Sequence, residues 1–172
     1  MLKLLRNRKG QFYILIALLL ISYAFTLARQ DVPARRQKDT FQLLHEGYIS
    51  EAPVAINNAV YEDANVTSRL ANFTSAYLGF AKSSEAGFRL AYLLKQKDSL
   101  TVGNRLGTEL NATIGSASYA IPQNSERTFS ASNATLSVAG ISYDFLFSEE
   151  EIQLKALFRV VGRLTTRVFV HG

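Results

Sequence analysis

The chain has 172 residues, 19 Lys and Arg against 14 Asp and Glu, a formal charge of +5, and neither Cys nor Trp. That length holds one ordinary domain with an appendage and not two large ones. The absence of cysteine excludes a disulfide framework, a thiolate zinc site and a cysteine nucleophile.

The charge is unevenly placed. Lys3, Arg6, Arg8, Lys9, Arg29, Arg35, Arg36 and Lys38 all lie within residues 1–40, with only Asp31 and Asp39 against them. Residues 41–172 therefore hold 11 positive and 12 negative side chains, a balance of −1. The sequence pI of about 9.6 belongs to the N-terminal segment. A nucleic-acid partner, which a basic domain surface would suggest, is not expected.

Residues 1–10 form a basic leader, and residues 11–28 an apolar segment in which Phe12–Ala28 runs 17 residues without a charge. As a helix that run would reach roughly 26 Å, near the thickness of a bilayer's hydrocarbon core. Tyr13 and Tyr23 lie near its ends, where amphipathic rings favour the interface. A core helix of a globular domain would carry a polar face, and this run has only Ser22 and Thr26. It reads as membrane-inserting. Three fates are open to it: removal as a secretory signal after Thr26-Leu27-Ala28, retention as a single-pass anchor, or retention after a cut on its N-terminal side.

The third fate rests on Arg8-Lys9-Gly10-Gln11-Phe12. A basic cluster, then Gly-Gln, then an unbroken apolar helix resembles the class III signal peptide of archaeal type IV pilins and pilin-like proteins. The resemblance covers about residues 1–30. It implies cleavage between Gly10 and Gln11 by a prepilin-type peptidase. It also implies a retained assembly helix of Phe12, Tyr13, Ile14, Leu15, Ile16, Leu18, Leu19, Leu20, Ile21 and Phe25. The implied partners are copies of the chain itself, the membrane during biogenesis, and the assembly machinery. Leu15 stands at the fifth position after the cut, where many pilins carry a Glu that pairs with a neighbouring N-terminus. The physics is coherent, because cutting before the run removes the cations that would hold it in place. The helix can then leave lipid by burying its apolar surface against copies of itself, at roughly 25 cal/mol per Å².

Basic residues flank the run on both sides, so charge alone does not orient it. Four Asn-x-Thr sequons, at Asn65, Asn72, Asn111 and Asn133, all follow it. With 9 Asn and 26 Ser plus Thr in the chain, about one or two would arise by chance. Their excess and position predict an outward-facing, N-glycosylated C-terminal part at the cell surface.

Residues 29–38 are a polar juncture interrupted by Pro33. Residues 39–97 read as a helical stem. Phe41, Leu44 and Tyr48 mark a first amphipathic stretch. Ser50 is a candidate cap for a second, with Pro53 in its first turn. Asn65 caps a third, whose stripe is Val66, Leu70, Phe73, Tyr77 and Phe80. A further helix carries Phe88, Ala91, Tyr92 and Lys95. From residue 98 to 172 glycines punctuate short runs rich in Thr, Val, Ile, Phe and Tyr, which predicts antiparallel strands. Ile141, Tyr143, Phe145 and Phe147 share one face, as do Ala156, Phe158 and Val160, and Leu164, Thr166, Val168 and Val170. Gly162 is either a hairpin turn or a bulge. Glu149–Glu151 form an acidic connection, with Ser148 as a possible helix cap. The expected fold is α+β: a long N-terminal apolar membrane or filament-core helix, a helical stem, and a C-terminal antiparallel β-sandwich or sheet.

No nucleotide, metalloprotease, hydrolase or EF-hand motif occurs. His45 and His171 lack ligand partners at helix or strand spacing, and the acidic pairs and triplet read as solvated. No catalytic residue, metal ligand or cofactor is nominated, and an enzyme is not expected. The sequence favours a pilin-like structural subunit of an archaeal surface filament. The alternative is an uncleaved, membrane-anchored surface glycoprotein acting in adhesion or in a complex.

Overall fold

The computed structural model describes residues 39–148, 152–161 and 166–171. Helix α1 is Thr40–Tyr61 and α2 is Val66–Ser84. Nine strands follow: β1 Phe88–Gln96, β2 Ser99–Arg105, β3 Leu110–Ile114, β4 Ala117–Ile121, β5 Glu126–Ser130, β6 Asn133–Val138, β7 Ile141–Leu146, β8 Ile152–Val161 and β9 Thr166–His171. They form two antiparallel sheets, one of five strands in the order β5-β2-β1-β8-β9 and one of four in the order β4-β3-β6-β7.

Two apolar cores make the described residues a three-layer domain. Phe88, Leu90, Tyr92 and Leu94 of β1 join Ala156, Phe158 and Val160 of β8 under the two helices. Ala91 and Leu93 of β1, with Leu100, Val102 and Leu157, face Leu110, Ala112, Ile121, Leu136 and Phe145 of the four-stranded sheet. Successive strand side chains point to opposite faces, so β1 supplies both cores by alternation. Seven of its nine residues are buried.

The expected α+β division is therefore corrected. The domain is mainly β, with two helices laid on one sheet, and no separate helical stem spans 39–97. The segment expected as a fourth helix, with Phe88, Ala91, Tyr92 and Lys95, is strand β1. A strand covered on both faces shows a continuous apolar run without the alternation that marks a half-wet strand, and FRLAYLLKQ imitates a helix for that reason. The expected apolar helix over 11–28 lies outside the described residues. Among those described, no helix is long and apolar enough to cross a membrane.

Helix α1 runs unbroken through Pro53, where Ser50 was expected to cap a new helix. Pro53 is exposed, so the Ile49 carbonyl that loses its partner faces a side where water can replace it. Asp39 caps α1 by accepting from the Phe41 amide at 3.2 Å. The two helices are joined by buried polar contacts. The Tyr48 hydroxyl meets Thr74 Oγ1 at 2.8 Å, and the Tyr77 hydroxyl donates to the Leu44 carbonyl at 2.5 Å. Burial pushes the Tyr48 phenol above its ordinary range, outweighing the Thr74 hydrogen bond that acts the other way. The α2 stripe holds at Leu70 and Tyr77, with Val66 and Phe73 partly buried. It fails at Phe80, which is 63% exposed, because Leu78 and Ala81 take the inward positions of that turn.

Among the later elements, Ala156, Phe158 and Val160 share the helix-facing side as expected, and Val168 and Val170 pack on the inter-sheet core. Phe145 is buried, whereas Ile141 at the start of β7 is exposed. Strands β8 and β9 pair with Val161 opposite Thr166, so they form a hairpin, not one long bulged strand. Glu149–Glu151 and Gly162 lie outside the described residues. Strands β6 and β7 join through Ala139 and Gly140, at φ +53° and +79°. That pair of left-handed residues is what a two-residue hairpin turn of this twist requires.

The sheets are tied together by Asn104, which is fully buried. Its amide nitrogen donates to the carbonyls of Thr108 (2.8 Å), Ile121 (2.9 Å) and Pro122 (3.2 Å), and its oxygen accepts from the Leu106 amide at 2.9 Å. Next to it, Gly103 lies opposite Tyr92 in the β1–β2 ladder, and a Cβ there would overlap the Tyr92 ring. Gly103→Ala is expected to lower stability by about 1–3 kcal/mol in urea denaturation. Combined with Tyr92→Leu, the loss should be smaller than the sum of the two single variants. Strict additivity would show that the ring does not need that space.

Candidate functional site

The residues nominated from sequence fall into two groups. Gly10, Gln11 and the assembly-helix residues lie outside the described residues. The four sequon asparagines are all described, and all four are exposed.

Asn65 and Asn72 stand on α2, seven residues apart, so the 3.6-residue period puts them on one side of the helix. Asn65 is the N-cap, and its Oδ1 accepts from the Ser68 amide at 2.8 Å. Because the cap uses the oxygen, the amide nitrogen that would carry a sugar stays available. Capping the helix and carrying a sugar are thus compatible at Asn65. Their sequon threonines are engaged in the fold. Thr67 donates to Gln96 Oε1 at 3.1 Å, joining α2 to the end of β1. Thr74 is fully buried against Tyr48, so packing by itself accounts for a threonine there.

Asn111 on β3 and Asn133 on β6 share the outer face of the four-stranded sheet, opposite the side bearing Ala112, Ala134 and Leu136. Thr113 pairs with Thr135 between these strands. The two asparagines are therefore about four residues apart along the strand direction, roughly 13 Å. The face between them is a ladder of small polar side chains. Thr113 meets Ser118 at 3.0 Å, Thr135 donates to Asp144 at 2.6 Å, and Ser137 meets Ser142 at 3.1 Å. Such cross-strand pairs contribute a few tenths of a kcal/mol each, up to about 1 kcal/mol. They also leave a hydroxyl-rich surface, and the Ser/Thr alternation of residues 111–118 and 133–144 is the sequence signal that could have located it.

The histidines are explained by packing and position. His45 is buried, stacks on Phe169 with ring centroids 4.0 Å apart, and donates from Nδ1 to the Phe41 carbonyl at 3.2 Å in the tautomer that this contact requires. His171 is exposed on edge strand β9. Among the described residues no group of three His, Asp or Glu side chains could hold a metal ion. In the core, burial and then the nearby Glu126 carboxylate raise the Tyr92 phenol above its usual range.

Comparison with known proteins finds no matching family model, no matching curated protein and no matching solved structure.

The Asn72 sequon separates decoration from packing. Asn72→Gln removes the acceptor alone and is expected to change stability by less than about 0.5 kcal/mol. Thr74→Val also strips the Tyr48 hydroxyl of its partner and should cost about 1–3 kcal/mol. Urea denaturation of both variants, with mass spectrometry to count glycans, distinguishes the two effects.

Proposed function

We propose that this chain is a pilin-like structural subunit of an archaeal surface filament. The observation that carries the reading is the juxtaposition of Arg8-Lys9-Gly10-Gln11 with the charge-free run Phe12–Ala28. A prepilin-type peptidase cuts between Gly10 and Gln11 while the precursor is in the membrane. Removal of Lys3, Arg6, Arg8 and Lys9 lowers the formal charge from +5 to +1 and takes away the cationic anchor. The apolar segment 11–28 then packs against copies of itself, and the β domain is displayed outward at the cell surface with glycans on some or all of Asn65, Asn72, Asn111 and Asn133. The exposure of all four asparagines supports outward display, since each acceptor can carry a sugar without disturbing either core.

Leu15 favours a second reading, because the Glu expected there in many pilins is missing. In that reading the chain stays uncleaved as a membrane-anchored surface glycoprotein acting in adhesion or in a complex.

The mass of the mature chain decides between them. The filament reading expects an N-terminus at Gln11, recovery in sheared high-molecular-weight material, and retention of the precursor in a Gly10→Val variant. An intact Met1, or a start at Arg29, overturns it.

A further inference from the structure

Where the entry to β1, the β2–β3 turn and the β4–β5 turn meet at one end of the five-stranded sheet, the surface forms an open cavity of about 610 Å³. Among the described residues its lining carries four cationic side chains and no carboxylate: Lys82 from the last turn of α2, Arg89 from β1, Arg105 from β2 and Arg159 from β8.

The four are not equivalent. Arg105 is ion-paired with Glu126 at 2.5 Å and also donates to the Asn104 and Ser125 carbonyls. Arg89 donates to the carbonyls of Ala86 (2.8 Å) and Phe88 (2.7 Å), so it meets dipoles but no countercharge in the described structure. Arg159 has a buried Nε without a hydrogen-bond partner among the described residues. Arg89 and Arg159 also sit directly opposite each other in the β1–β8 ladder, which puts both side chains on the same face of the sheet. Like charges in that arrangement destabilise a strand pair, and a guanidinium cannot shed its proton to relieve the repulsion. An unsatisfied buried donor is a further cost. A bound oxyanion would remove both.

The rest of the lining narrows the ligand. The Thr108 hydroxyl and the amides of Gln123 and Asn124 can give and accept hydrogen bonds with a hydroxylated skeleton. Among the described residues no aromatic ring lines the cavity, so they offer no platform on which a nucleobase could stack. The volume is far larger than a lone oxyanion needs, given that one water occupies about 30 Å³ of liquid.

We propose that this cavity binds an anionic sugar unit. Its carboxylate or phosphate sits on Arg159 and Arg89, and its hydroxyls on Thr108, Gln123 and Asn124. Lys82, which forms no ion pair among the described residues, adds attraction at the rim. The oxyanion could come from a uronic acid or from a sugar phosphate, and the test separates the two.

Calorimetry and thermal melts on the full chain in detergent at low salt, with glucuronate, glucose 6-phosphate, glucose and inorganic phosphate as probes, decide it. At least one sugar anion is expected to bind at least tenfold more tightly than glucose or phosphate and to raise the melting temperature, and the tighter of the two identifies the source. Arg159→Gln should weaken that binding at least tenfold while leaving the unliganded melting temperature unchanged or higher, because the facing charges are relieved. Arg89→Gln should weaken it as well, which guards against a single variant that folds poorly. Absence of binding, phosphate binding as tightly as the better of the two sugar anions, or undiminished affinity in folded Arg159→Gln would each overturn the proposal.

Discussion

Burial of β1 on both of its faces is the constraint on which the rest of the domain depends. Phe88, Leu90, Tyr92 and Leu94 need a cover on one side, and Ala91 and Leu93 need one on the other. The two helices supply the first and the four-stranded sheet supplies the second. Strand β1 and its neighbour β8 supply residues to both cores and so transmit the packing between them. Gly103 and Asn104 then follow from local need. The first leaves room for the Tyr92 ring. The second satisfies the backbone where the chain leaves one sheet for the other, since a buried carbonyl or amide left without a partner costs about 1–3 kcal/mol.

How much of this was legible in the sequence varied with how local the signal is. The cap at Asn65 and the inward spacing of Leu70 and Tyr77 are carried by neighbours within one or two turns. So is the shared face of Ala156, Phe158 and Val160. Strand β1 was misread because its alternation is hidden when both faces are apolar. Pro53 suggested a break that an exposed position on a well-packed helix tolerates. The exposure of the sequon asparagines matched their polar character, but the shared outer face of Asn111 and Asn133 depends on the β3–β6 register. The cavity cations come from four separate elements at residues 82, 89, 105 and 159, and no spacing rule joins them.

The surfaces left over from core formation have distinct characters. The outer face of the four-stranded sheet is a hydroxyl ladder carrying two sequons, and α2 carries the other two. The end of the central sheet gathers Lys82, Arg89, Arg105 and Arg159 although residues 41–172 sum to −1.

Amide hydrogen exchange on the full chain tests the double-covered strand most directly. If β1 bridges the two cores, the amides of Leu90–Leu94 open only with global unfolding and are among the slowest in the domain. The edge strands β5 and β9 exchange faster through local opening. Exchange of the β1 amides at edge-strand rates, under conditions where the domain is folded, would contradict it.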